Sequence, residues 1–138
     1  MGFKRAMVSA DGRLPQPLRQ GDGFLANPAP KAFAAETDET ITTAELSGGL
    51  IHQGTTLSSD VVYTLPTAAL IVAEEPEMDV GDAYVFIVNN SQAGAFDVVI
   101  AVGAGITAVG ANNTLSVPPQ SSRVFTLVKT AAATFDLY

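Results

Sequence analysis

The stretch 81–102 constrains the fold more than any other part of the chain. It reads Gly-Asp-Ala-Tyr-Val-Phe-Ile-Val-Asn-Asn-Ser-Gln-Ala-Gly-Ala-Phe-Asp-Val-Val-Ile-Ala-Val. β-Branched and aromatic residues recur at period two on either side of a polar, glycine-containing segment, the pattern of two strands and a turn. On the first strand Ala83, Val85, Ile87 and Asn89 share one face, and Tyr84, Phe86 and Val88 the other. Neither face is polar enough to meet water, so this strand is expected to be covered on both sides. On the second, Phe96, Val98, Ile100 and Val102 oppose Asp97, Val99 and Ala101. The reading is a central hairpin, the folding centre of an all-β body.

Around it, period-two runs at 40–46, 50–51, 60–65, 106–109, 114–117, 123–129 and 135–138 read as further strands. Thr67 is placed to cap one or two helical turns over 68–75, which Pro76 then stops. Short strands separated by regular turn signals indicate an antiparallel β-sandwich or jelly-roll-like body of about eight strands, with at most one short helix. The intervals between strands vary too much for an internal repeat, which argues against a solenoid or propeller.

Residues 1–35 carry Pro15, Pro17, Pro28 and Pro30 with Gly2, Gly12, Gly21 and Gly23, and no helical or alternating pattern survives that density of breakers. The expected organisation is an extended N-terminal arm over 1–35 and a β-sandwich body over 36–138. Two readings of the arm stand side by side: a disordered tail, or an extended segment lying on a partner. Phe3, Met7, Val8, Leu14, Leu18, Phe24, Leu25 and Phe33 are more apolar than a solvated linker needs, which favours the second. Fully extended, about 30 residues reach on the order of 100 Å.

Charge divides the chain at the same place. The first 31 residues hold Lys4, Arg5, Arg13, Arg19 and Lys31 against Asp11 and Asp22, whereas the remainder holds Arg123 and Lys129 against twelve acids. A basic arm on an acidic body argues against nucleic-acid binding by the body, since phosphate is repelled there. Charged residues are only 15% of the chain and apolar ones 47%, a composition that suggests partial covering by other chains. No apolar run approaches the ~20 residues of a membrane span. The first residues do not resemble a signal peptide, because Asp11, Arg13, Pro15 and Pro17 interrupt the segment after Lys4 and Arg5. The expectation is a chain made in the cytoplasm. With no cysteine, disulfides and thiolate metal sites are excluded.

Few residues suggest chemistry. His52 is the single histidine, and no nucleophile-elbow context surrounds any serine, so a position near a strand end is expected. Glu74, Glu75, Glu77, Asp79 and Asp82 form the one acidic cluster, but their spacing is not that of a calcium loop and Pro76 stiffens its middle. As a carboxylate pair for glycoside hydrolysis they lack aromatic platforms: the chain has no Trp and three Tyr. Gly103-Ala-Gly105 lacks the third glycine of a dinucleotide fingerprint and precedes a strand pattern, so it reads as a tight turn. The triplets starting at Asn89 and Asn112 fit a glycosylation sequon but serve better as turns. No catalytic residue, metal site or cofactor is expected.

The run Tyr63-Thr-Leu-Pro-Thr-Ala-Ala69, then Val80-Gly-Asp82 before the Phe-x-Val-Asn-Asn strand, Gly103-Ala-Gly105, Ser121-Ser-Arg-Val-Phe-Thr-Leu-Val-Lys-Thr130 and Thr134-Phe-Asp-Leu-Tyr138 together resemble small β modules of tailed-bacteriophage virions. Such modules occur in capsid decoration (cement) proteins and in head or tail fibres. The resemblance spans about residues 40–138 and implies a homotrimeric, non-enzymatic structural role, with the major capsid protein as partner and the capsid exterior of the virion as location. A small separate chain with a basic arm suits decoration best. The residues expected to contact the capsid are Lys4, Arg5, Arg13, Arg19 and Lys31, with Phe3, Leu14, Leu18 and Phe24 as apolar anchors. The alternative is a head- or tail-fibre attachment module that binds a host receptor or an adjacent virion protein.

Overall fold

A computed structural model describes residues 31–33, 36–110 and 115–138. Among these residues ten strands form two sheets, with two short helices between strands: β1 (Lys31–Phe33), β2 (Glu39–Thr40), α1 (Thr43–Ser47), β3 (Leu50–Gln53), β4 (Val61–Thr64), α2 (Ala68–Glu74), β5 (Ala83–Asn90), β6 (Val98–Ala101), β7 (Ile106–Ala108), β8 (Ser116–Val117), β9 (Ser121–Ala131) and β10 (Thr134–Leu137). The larger sheet has the order β1-β3-β5-β9-β10-β7 and the smaller β2-β4-β6-β8.

The strand-rich body is as expected, but it is not an antiparallel sandwich. From β1 to β6 the chain alternates between the sheets, and within each sheet the successive strands run parallel: β1, β3 and β5 in one, β2, β4 and β6 in the other. The first half is thus a wrap of three turns, each with one strand per sheet. Parallel pairing needs a return segment to carry the chain back to the starting end, and α1 and α2 lie on those returns. The returns differ in length: Lys31 pairs with Ile51, 20 residues on, and Ile51 with Val88, 37 on. Unequal returns hide the stacked geometry from any search for a repeat. Only with β9, antiparallel to β5 over its whole length, does the winding stop.

The segment 81–102 is accordingly not a hairpin. Both edges of β5 are occupied, one by β3 and the other by β9, so β6 finds its partners β4 and β8 in the opposite sheet. The connection between them is an arch held by the buried amide of Gln92. Its Oε1 accepts from Gly94 N at 2.7 Å and its Nε2 donates to Phe96 O at 2.6 Å. Buried Asn90 adds Nδ2 bonds to Phe96 O (3.2 Å) and Val117 O (2.9 Å). These side chains satisfy backbone groups that a hairpin ladder would otherwise have paired.

Two further differences are local. The stretch 40–46 is only partly strand, because Thr42 and Glu45 close a capping box: Thr42 Oγ1 accepts from Glu45 N at 3.2 Å and Glu45 Oε2 from Thr42 N at 2.9 Å. Such a box favours the helical start by about 1 kcal/mol. The body therefore has two helices, not one; α2 is the expected one, capped by Thr67. Lys31–Phe33, within the stretch read as arm, pairs in register with β3 as an edge strand of the larger sheet.

Between the sheets lies one apolar core. Phe86, Val88, Phe125, Leu127, Phe135 and Leu137 project from the larger sheet, and Val61, Tyr63, Val98, Ile100 and Val117 from the smaller. Burying each such side chain contributes about 1.5–3 kcal/mol. Phe33 and Tyr63 stack across the two sheets with ring centroids 3.9 Å apart. Phe86 stacks on its cross-strand neighbour Phe125 at 5.3 Å.

Candidate functional site

Of the residues expected to grip a partner, Phe3, Lys4, Arg5, Arg13, Leu14, Leu18, Arg19 and Phe24 lie outside the described residues. Lys31 is described, and its charge is held within the chain. Its Nζ stands 2.8 Å from Glu45 Oε1 and 3.9 Å from Glu39 Oε2, and 4.8 Å over the ring of Phe33. The bond to Glu45, with the nearby charges of Glu45 and Glu39, raises the Lys31 pKa above its ordinary value against a smaller opposing effect of burial. Burial alone would push the Glu45 carboxyl up, but the bonds from Lys31 and Thr42 outweigh it and leave it lowered. Lys31 thus ties β1 to α1 at the point where residues 1–30 join the body.

The expected covering of both β5 faces is met on one face only. Phe86 and Val88 are sealed in the core, while Val85 is 56% exposed and Ile87 38%. On the neighbouring strand Val124, opposite Ile87, is 58% exposed. The registers extend this into rows across the outer face of the larger sheet. One row runs Val124, Ile87, Leu50. Another runs Tyr138, Thr126, Val85, with Tyr138 and Thr126 exchanging backbone bonds of 2.9 and 3.0 Å. A flanking row is polar, with Asn89 Nδ2 donating to Ser122 Oγ at 2.7 Å and His52, beside Asn89, bonded through Nε2 to Ser91 Oγ at 2.7 Å. The outward positions of β5 and β9 (Ala83, Val85, Ile87, Asn89, Ser122, Val124, Thr126 and Val128) carry no charge. The two cations of β9 are turned elsewhere: Arg123 lies 5.1 Å over Phe125, and Lys129 is buried with its Nζ on Met78 O.

A second feature is a cleft of about 440 Å³ where β2, β4 and β6 end. Thr40, Thr42, Thr64, Thr67, Leu70 and Gly103 are among its walls, and none of its lining side chains is ionisable. It offers hydroxyls and methyl groups but no acid or base for proton transfer. Its floor explains the glycine pair in 103–105. Buried Gly103 lies against the Leu65–Pro66 backbone, and Gly105, at φ +81°, packs on Ala68. The loop is anchored by Ala68 N to Ala104 O at 2.9 Å and Phe135 N to Gly105 O at 3.0 Å. Close backbone packing, not phosphate binding, is what these glycines serve. Among the described residues no three His, Asp or Glu side chains come together as a metal site. In the acidic segment Asp82 Oδ2 instead accepts from Asp79 N at 2.8 Å.

The chain matches no protein-family model, no curated protein and no solved structure. The outer face of the larger sheet is therefore the principal candidate site on geometry alone. Its signal in the sequence was the apolar character of both β5 faces, together with Val124 and Thr126 on the matching face of β9.

Proposed function

We propose that the protein is a phage capsid decoration protein that binds the outer capsid surface as an oligomer and stabilises contacts between capsomers through its N-terminal segment. One observation carries this reading: the chain is split into a basic N-terminal segment and a strongly acidic body, and the split falls at β1, an edge strand of the larger sheet. A basic segment that leaves from an edge strand can bind an acidic shell, or add a strand to it, while the body stays outside. Repetition over a lattice makes weak single contacts cumulative. The test is co-sedimentation with purified capsids. The full chain is expected to sediment in hundreds of copies per particle, and a chain lacking residues 1–30 to stay in the supernatant with an unchanged circular dichroism spectrum. Undiminished binding by that truncated chain overturns the reading.

The wrap of parallel strands favours a second reading, a head- or tail-fibre attachment module, because stacked turns with an open edge suit an elongated assembly. Copy number separates the two, since a fibre module occurs in dozens per particle at most.

A further inference from the structure

We infer that the outer face of the six-stranded sheet, centred on Val85, Ile87 and Val124, is a self-contact surface, buried against the same face of a second copy of this chain. This rests on the oligomeric part of the reading above and is independent of capsid attachment.

Two arguments choose the occupant. The first is charge. Residues 32–138 carry twelve acids against two cations, so copies repel one another wherever acids face acids. The outward positions of β5 and β9 form an uncharged field in that surface, the place where a like-charged copy can approach without burying a carboxylate. The basic N-terminal segment, by contrast, finds no anion at those positions to pair with, and its last cation, Lys31, already has Glu45 and Glu39. The second argument is area. β5 spans eight residues, which at ~3.3 Å per residue and with the shorter β3 and β10 counted beside β5 and β9 at ~4.8 Å spacing gives a face of at most roughly 26 by 19 Å, bordered on β10 by the carboxylate of Asp136 opposite Val128. Two such faces bury on the order of 1,000 Å², the lower bound for a specific contact. Twisted faces of this kind pack about 10 Å apart with side chains interleaved. The same face on both copies is what a two-fold axis brings together.

The experiment uses the full chain in the absence of capsids. Light scattering on a sizing column is expected to give a mass of two chains at micromolar concentration. Association is expected to strengthen as salt rises, because the repulsion between net −7 copies is screened; capsid binding through the basic segment should weaken under the same change. Val85→Glu with Val124→Glu places carboxylates face to face and should weaken association by on the order of 100-fold, with an unchanged circular dichroism spectrum. Should that variant fail to fold, Val124→Cys decides, since the chain has no other cysteine: the introduced thiol is expected to react slowly with a thiol reagent in the assembly and quickly on dilution. A wild-type chain of single-chain mass at every concentration overturns the inference, and so does an introduced thiol that reacts at one rate at every concentration. An assembly whose mass the charged variant leaves intact, or one that dissociates as salt rises, overturns it too. Loss of capsid binding with self-association intact would count against decoration alone.

Discussion

Gln53 and Asn90 stand side by side at the same register position of adjacent parallel strands, both fully buried, where two successive turns of the wrap leave the larger sheet. Gln53 Oε1 accepts from Tyr63 Oη at 2.5 Å and its Nε2 donates to Thr55 O at 3.1 Å. Asn90 performs the equivalent service one turn on, for Phe96 and Val117. The two amides form a short polar ladder that steers the chain from one sheet to the other. Buried amides are tolerated where their bonds are made; both groups of Gln53 and the Nδ2 of Asn90 meet that condition, whereas Asn90 Oδ1 is buried without a partner among the described residues.

Asn90→Ala should therefore cost more than its volume suggests. Both Nδ2 bonds, to Phe96 O and Val117 O, are lost, and two such bonds are together worth about 1–3 kcal/mol. Urea denaturation followed by circular dichroism measures it. A midpoint unchanged from wild type would show that water or a neighbouring group takes over the bonds.

Tyr63 links the ladder to alkaline stability. Burial, reinforced by the charges of Glu39 and Asp38, raises the phenol well above its ordinary value. A group whose folded pKa is raised contributes stability that is complete below its unfolded value near 10 and is lost as pH climbs toward the folded value. Lys31, also raised, acts in the same direction above its unfolded value. The expected result is a melting temperature that falls above about pH 10. Tyr63→Phe should be less stable at pH 7, because Gln53 Oε1 loses its donor, yet show a shallower alkaline decline. Thermal melts of both proteins from neutral to alkaline pH check the crossing trends.

Gly103→Ala should be among the most damaging small substitutions. A Cβ there falls 2.6 Å from Leu65 O and closer still to Pro66, both of them backbone obstacles beside the Leu65 N–Ala101 O bond of 2.8 Å. Overpacking of this kind costs about 1–3 kcal/mol, with larger values where backbone is the obstacle. Equilibrium denaturation gives the number, and a cost below about 0.5 kcal/mol would mean that the β4 and β6 ends separate freely.

Strand positions were legible in the sequence where side chains alternate strongly, as over 61–64, 83–90 and 121–131, because burial of one face leaves that trace. The cap of α2 was legible from Thr67 and Pro76. Partnership was not. Val85 and Phe86 look the same whether β5 pairs with β6 or with β3, since alternation reports faces and not neighbours. The arch was mistaken for a hairpin turn because Asn, Ser and Gly supply both. What distinguished them was buried Gln92, whose amide has no place in a tight hairpin. The outer apolar face was visible as an excess of Val and Ile, but which of the two β5 faces the chain itself covers depends on the register with β9, which no local pattern encodes.

The wrap gives the molecule a direction. At the end formed by β1 and β2, each sheet finishes in a parallel edge strand, so a further turn laid down in the same sense would meet hydrogen-bonding groups already aligned for it. At the other end, the reversal from β5 to β9 and from β6 to β8 has broken that sense. A turn that continues the wrap in its own sense belongs at the pole where β1 begins at Lys31.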